Sequence, residues 1–458
     1  MAEVMTEKST QTAARMPAGV WNAYMFQVLN TTSFTIVVST PMLLYFKRLG
    51  ASATVLGIVI ALPTLLNILQ IPAAQFVEKM GYRAFVLSGW TLRAAFVLGI
   101  AGVAMLPGKV DSMTRISLLL FLLFAFNASR GISLCGYTPW MTQWIPEEVR
   151  GRYVSRDQAS AAVAALGTVI VSAIYLRPPE PKHAYGLLFL GSFVAIMASL
   201  WFLRRIPDVP VPPQPQSSQP VPYKEMLLHP PFFRLMCYNV ALLLSLAGAG
   251  VIWIPLVRDT FAASDSLILG MMILWNFVSA VALWGFGHLV DRVGSRPMLG
   301  MGTLILVVHL SLWCSVAAHV LPFNLLAIFL IQTTSAIGVS AFNLANMRLV
   351  MASVPPMGRS HFFALYTVLT SLVSGIFPIV WGMLLDGLAG WGGSWSSWQW
   401  NQFSLLYAAQ AAIMIVAVVL RNRVSEARAM TTDAFLRELL VKTPSRAISR
   451  LLPRRPVS

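Results

Sequence analysis

Along most of the chain, apolar residues run in blocks of about 20, each closed by a short polar or charged interruption. A block of that length covers a bilayer core of about 30 Å as an α-helix. In order, the blocks predict helices over 20–46, 53–76, 84–106, 114–138, 155–176 and 184–203, then 232–256, 266–290, 298–318, 322–346, 361–385 and 402–420. Pro107-Gly108 breaks the third helix, and the fourth ends near Pro139-Trp140. Between Pro207 and Pro222 the chain is rich in Pro, Gln and Ser and reads as an extended linker. The expected division is an N-terminal tail (1–19), a six-helix bundle (20–203), a linker (204–231), a second six-helix bundle (232–421) and a basic tail (422–458). The fold class is an all-α membrane protein with twelve transmembrane helices in two bundles.

Composition agrees. The 458 residues are 57% hydrophobic and only 11% charged, with a mean hydropathy of +0.70; soluble domains carry about 25% charged residues. The net charge of +16 does not point to nucleic acid. With a cytoplasmic N-terminus, roughly 24 of the 33 Lys and Arg fall in predicted cytoplasmic segments, the asymmetry of positive-inside topology. Both termini are then cytoplasmic, with the chain in the cell inner membrane. The tail after Arg421 places Phe435, Leu436, Leu439 and Leu440 on one helical face, either an interfacial helix or one amphipathic turn of a solvated tail. Cys135, Cys237 and Cys314 lie in apolar stretches without metal-ligand spacing. There is no nucleophile–base set, metal cluster or phosphate-binding glycine loop, so neither enzyme activity nor a cofactor is expected. The first helix serves as its own insertion signal.

The second half repeats the first. Asn30 and Asn239 are 209 residues apart, as are Arg150 and Arg359; Gly57 and Gly270, Gly81 and Gly294, and Arg83 and Arg296 are each 213 apart. The repeat includes two charged loops, Ala74-Gln-Phe-Val-Glu78-Lys79-Met-Gly81-Tyr-Arg83 and Gly287-His-Leu-Val-Asp291-Arg292-Val-Gly294-Ser-Arg296. In both, glycine permits a tight turn and the basic residues stay beside the headgroups.

These loops resemble the loop between helices 2 and 3 of major facilitator superfamily transporters, roughly G-x-x-x-D-R-x-G-R-R. The later copy lacks only the final arginine, where Pro297 stands; in the earlier one Ala74 replaces the first glycine and Glu78-Lys79 replaces Asp-Arg. The resemblance spans about 20 to 421 and is similar to bacterial facilitators without assigned substrates. It implies a monomer with a central small-molecule site between two bundles and alternating access. It also implies gating by Glu78, Lys79, Gly81 and Arg83 in one half and Asp291, Arg292, Gly294 and Arg296 in the other. The alternative is a topogenic charge cluster with no moving part.

Transport chemistry belongs where polar groups lie at membrane depth. Arg93 and Arg130 fall inside the third and fourth predicted helices, where a charge needs a partner or a water-filled cavity. All 17 acidic residues fall in tails, loops or helix ends. Arg130 therefore either attracts an anionic substrate group or snorkels towards Glu78, Glu147 or Glu148; Arg93 either does the same or bonds to backbone carbonyls. The remaining candidates are Gln27, Asn30, Asn127, Asn239, Asn276, Gln332 and Asn343, which bind a solute or bridge helices. Trp275, Trp284 and Trp381 are candidate cavity residues, and the Trp391–Trp400 group fits an interfacial belt. With no carboxylate evident within a helix, and no G-x-x-x-G-P motif in the fifth, facilitated diffusion or anion exchange fits better than proton-driven export of amphipathic compounds. A transporter-like sensor or scaffold is the third reading.

Overall fold

Twelve helices among the described residues are long and apolar enough to cross a membrane. The computed structural model describes residues 16–179, 183–211, 223–353, 359–395 and 398–424. The predicted first span is two helices, α1 (Val20–Val38) and α2 (Thr40–Arg48), separated at Ser39. α3 (Ala53–Leu65) passes through a 3-10 turn at Leu66–Leu69 into α4 (Gln70–Met80). Pro63 sits just before that change; its ring cannot donate to a carbonyl four residues back, which loosens the ladder there. Next come α5 (Tyr82–Ala104), α6 (Ser112–Trp144), α7 (Glu147–Tyr175) and α8 (Ala184–Leu203).

The later half holds α9 (Tyr223–Leu228), α10 (Pro230–Leu246) and α11 (Ala249–Pro255), which runs into a π-helical turn at Leu256–Thr260. α12 (Asp265–Val293), α13 (Ser295–Ala317), α14 (Leu325–Ser353) and α15 (Arg359–Gly387) follow. A hairpin of β1 (Gly392–Trp395) and β2 (Trp398–Asn401) then leads into α16 (Gln402–Arg421). Asn401 closes a capping box with Ser404, satisfying two amides at the start of α16.

Several expected boundaries change. The helix expected to end near Pro139 runs to Trp144, and Trp140, fully buried, anchors its last turns by donating to the Pro207 carbonyl at 2.9 Å. The helix expected from 155 starts at Glu147. As a result Asp157 lies well inside α7 and is half-buried, which corrects the reading that every acidic residue sits in a tail, loop or helix end. The linker contains α9, and the tryptophan-rich loop before the last span is a hairpin on which Trp398 and Trp400 share a face with rings stacked at 5.6 Å. The tail beyond Val424, most of the Pro-rich linker and the Val354–Gly358 loop lie outside the described residues.

The chain divides into two compact units. The first is drawn from Met1–Met42, Leu66–Thr168 and Lys182–Gln216, the second from Leu43–Leu65, Val169–Pro181 and Ser217–Ser458. In the first, α1 and α5 pack on α8, and α6 packs on α4 and α5. Ser33 and Ser192, both buried, join α1 to α8 with hydroxyls 2.8 Å apart. In the second, α13 packs on α14 and α16, α12 on α14, and α10 on α16.

α3 belongs to the second unit, packed along α15. Small residues allow this: a Cβ on Gly57 would run into the Pro378 carbonyl, and one on Gly382 into the Ala53 carbonyl. Asp386, near the end of α15, caps α3. Its Oδ1 accepts from the Ala53 amide at 2.9 Å, and its Oδ2 from the Thr54 amide at 2.8 Å and hydroxyl at 2.6 Å. Lys47 pairs with Asp259 at 2.5 Å, and Arg258 bonds Asp265 at 2.7 Å and the Leu44 carbonyl at 3.3 Å.

Candidate functional site

The two charged loops share a backbone device. Gly81 and Gly294 have φ of 77° and 93°, a region costly for any residue with a Cβ, and each ends one helix and begins the next within a single residue. The arginines behind them do matching work inside their own units. Arg83 donates through Nη2 to the Arg204 carbonyl at the end of α8. Arg296 donates through Nη2 to the Asn422 carbonyl at 3.0 Å, at the end of α16. Each thus places a cation on the negative end of the last transmembrane helix of its half. The motif named these residues but not these partners, because a helix end 121 or 126 residues away leaves no mark on loop spacing. Lys79 stands 5.9 Å from the Phe76 ring centre. The side chains of Glu78, Asp291 and Arg292 lie outside those described.

The first unit holds two guanidinium groups at membrane depth. Arg93, on α5, is 2% exposed. It lies over the faces of Trp90 and Phe126 at 4.7 and 4.9 Å, and its Nη2 is 3.5 Å from Asn30 Oδ1. Asn30 Oδ1 also accepts from Trp90 Nε1 at 3.1 Å, so the amide serves as a shared acceptor. Arg93 Nε is buried with no hydrogen-bond partner among the described residues. Arg130, on α6, is partly exposed; it stacks over Phe34 at 4.8 Å and donates to Asn67 Oδ1 at 3.1 Å. The helices that carry the two guanidinium groups, α5 and α6, pack on one another. Asn67, in the 3-10 turn between α3 and α4, was not among the sequence candidates; the break in that helix aims its amide at Arg130.

The amides separate by environment. Asn127, 2% exposed, donates to the Leu123 carbonyl of its own helix at 2.9 Å, leaving Oδ1 buried and unpartnered among the described residues. Asn276 likewise bonds the Met272 carbonyl at 2.7 Å. Asn239 is fully buried and donates to Asn346 Oδ1 at 2.9 Å, and Asn346 donates to the Tyr366 hydroxyl at 2.8 Å, a chain joining α10, α14 and α15. Asn346, three residues beyond the predicted Asn343, faces inward while Asn343 is exposed. Asn30 and Asn239 are equivalent in the repeat, yet one meets an arginine and the other an amide. Gln27 is partly buried.

In the second unit, Gln332 and Trp275 line a cavity of about 280 Å³ inside the helix bundle. Trp381 instead donates to the Leu244 carbonyl at 2.9 Å, and Trp284 is 65% exposed. Sequence reasoning passed over Gln410, a polar residue in the last apolar span, and Asp157 beside Tyr137 and Tyr153. The described residues hold no group of three or more His, Cys, Asp or Glu placed to bind a metal.

A helical membrane protein with twelve apolar spans, and with a buried arginine, a partly exposed one and amides at membrane depth, has the form of a solute transporter. The sequence matches the model of the Major Facilitator Superfamily over residues 20–317, well over half the chain, and the protein belongs to that superfamily. No curated protein matches it in sequence. The fold is similar to that of the nucleoside transporter NupG, at 11% identity over 90% of this chain and 100% of that one, with a TM-score of 0.67. It is also similar to a bacterial homologue of the iron transporter ferroportin in an inward-facing state (15% identity, 89% and 99% covered, TM-score 0.68). A D-xylose–proton symporter matches at 14% identity, 90% and 98% covered, with a TM-score of 0.67. At these identities the likeness is one of fold.

Proposed function

We propose that the protein moves a small organic anion across the bacterial inner membrane by alternating access. The observation that carries this reading is the arginine pair of the first unit. Arg130 is partly exposed, whereas Arg93 is 2% exposed and has an unpartnered Nε. Charges held in a medium of low dielectric act over longer range than in water, so Arg93 raises the positive potential at Arg130 even without touching a ligand. Their mutual repulsion falls when an anion arrives, which adds to its binding. Arg130 is the contact residue in this scheme, Asn67 orients it, and Arg93 and Asn30 form the charged layer behind. Gating by the two charged loops belongs to the same proposal, with Gly81 and Gly294 supplying the tight turns and Arg83 and Arg296 tying each loop to a helix end.

The test is a thermal-shift screen of detergent-purified protein against sugars, carboxylates, phosphates, amino acids and cationic drugs, with wild type beside Arg130→Gln. A ligand that binds the folded state raises its apparent stability. Stabilisation by an anion that disappears in Arg130→Gln supports the proposal. Equal stabilisation of both proteins by neutral or cationic ligands overturns it and makes Arg130 structural.

Asp157 favours a second reading, proton-driven export. Its Oδ1 is buried without a hydrogen-bond partner among the described residues, beside the phenols of Tyr137 and Tyr153. Ligand-induced proton uptake that is absent in Asp157→Asn would favour export over anion exchange.

A further inference from the structure

The cavity of about 280 Å³ in the second unit lies among α10, α11, α12, α13, α14 and α16. Trp253, Trp275, Trp313 and Tyr407 give it an aromatic side. Trp313 stacks on Tyr407 at 5.7 Å with rings 8° from parallel, and Trp275 is held by a bond from its Nε1 to Ser335 Oγ at 3.2 Å. Gln410 is 0% exposed, and neither its Nε2 nor its Oε1 has a hydrogen-bond partner among the described residues. The hydroxyl of Tyr407, which is 1% exposed, is also unpartnered. One buried amide thus leaves both a donor and an acceptor unused beside a phenol in the same state. Buried polar groups are nearly always satisfied, so the exceptions call for an occupant.

The backbone is shaped around these groups. Ala247-Gly248 interrupts the helix between α10 and α11, and a Cβ on Gly248 would stand 2.5 Å from Gln410 Nε2 and 2.7 Å from Trp381 Cγ. The Ser245 hydroxyl donates to the Gln410 carbonyl at 2.8 Å and holds α16 against this break. None of the lining residues is Asp, Glu, Lys or Arg. His309 spends Nδ1 on the Ile331 carbonyl at 3.1 Å. The volume, about 280 Å³, falls just below the roughly 300–1,000 Å³ usual for ligand pockets, which limits the occupant to a small molecule.

We infer that this cavity binds a small, uncharged, planar molecule bearing a carboxamide-like donor and acceptor. The ring lies against the tryptophans; the Gln410 amide, closed off from the cavity as it stands, turns away from Gly248 to pair with the ligand's amide group, with the Tyr407 hydroxyl as a further partner. With no Lys or Arg among the lining residues an anion meets no counter-charge, a side chain offering both a donor and an acceptor matches a neutral carboxamide, and the aromatic side favours a flat ligand over a sugar. The site lies within one unit and is independent of the arginine pair, so failure of the anion proposal leaves it standing.

Nicotinamide is a suitable probe, with nicotinate (the same ring carrying a carboxylate) and toluene (no polar group) as controls. Binding to the purified full-length protein is measured by equilibrium dialysis and thermal shift. Saturable nicotinamide binding is expected, weakened about tenfold in Gln410→Leu while toluene binding persists. Tyr407→Phe is expected to weaken nicotinamide by less, and it carries the same comparison should Gln410→Leu not fold. Nicotinamide bound equally by wild type and both variants would overturn the inference. So would nicotinate bound as tightly as nicotinamide. A Gln410→Leu protein that melts higher, from a wild type that binds none of the probes, would identify the cavity as a water-filled void and also overturn it.

Discussion

Asp386 offers the sharpest test of how α3 is held on α15. Its carboxylate accepts three hydrogen bonds of 2.6–2.9 Å from Ala53 and Thr54 at the first turn of α3, across more than 330 residues of sequence. Hydrogen bonds to a charged group contribute about 1.5–3 kcal/mol each, and an anion at a helix N-terminus adds about 0.3–1 kcal/mol. The simple sum overshoots, because Asp386 is half-exposed and water replaces part of what is lost. A net cost of about 2–4 kcal/mol for Asp386→Ala is expected, which raises the undocked fraction of α3 by about 30- to 1,000-fold. Asp386→Asn keeps one acceptor oxygen but loses the charge, and about tenfold is expected. Ala53 is 5% exposed when α3 is docked. A cysteine placed there and labelled with a membrane-impermeant maleimide therefore reports opening, since the rate follows the open population when closing is fast. The rate should rise from wild type through Asp386→Asn to Asp386→Ala. Thr54→Val, which removes only the hydroxyl donor, should lose most of its own effect in the Asp386→Ala background. Equal labelling rates in wild type and Asp386→Ala would show that the packing of α3 along α15 suffices and that the carboxylate holds nothing.

Arg83→Ala and Arg296→Ala each remove a cation from the carboxyl end of a transmembrane helix, and a destabilisation below about 1 kcal/mol apiece is expected. Melting curves should show the two losses adding, because the arginines serve α8 and α16 in separate units; a strongly non-additive double variant would contradict this. Asp111 caps α6, and its bonds from the Thr114 hydroxyl and amide hold its carboxyl below the ordinary value of 3.8. Its stabilising effect is therefore complete above about pH 4 and is lost as pH falls through the lowered value. The melting-temperature gap between wild type and Asp111→Ala should close on acidification below that range, and a gap unchanged down to pH 2 would remove Asp111 from the account.

How much was legible in the sequence depended on the range of the interaction. The charged loops were readable because a tight turn needs glycine at one position, and Gly81 and Gly294 do take positive φ. The start of α7 was missed because an apolar-window reading stops where polar residues begin, whereas a helix continues as long as its backbone bonds do. That error hid Asp157. Asn343 and Asn346 could not be ranked, since both sit in an apolar run and only packing decides which of two residues three apart faces the core. Gln410 was invisible for the same reason.

The sequence by itself determined the membrane class, the twelve spans and the residues that turn the loops. Each follows from local physics: apolar length against bilayer thickness, and the backbone freedom of glycine. The tertiary structure alone decided what the buried polar groups meet. Arg93 meets Asn30 and two aromatic faces, Arg130 meets Asn67 and Phe34, and Asp386 caps a helix from the other end of the chain. Gln410 faces a cavity beside a broken helix. A hydrogen bond needs a partner within about 3 Å, and segments hundreds of residues apart come that close only when the helices pack.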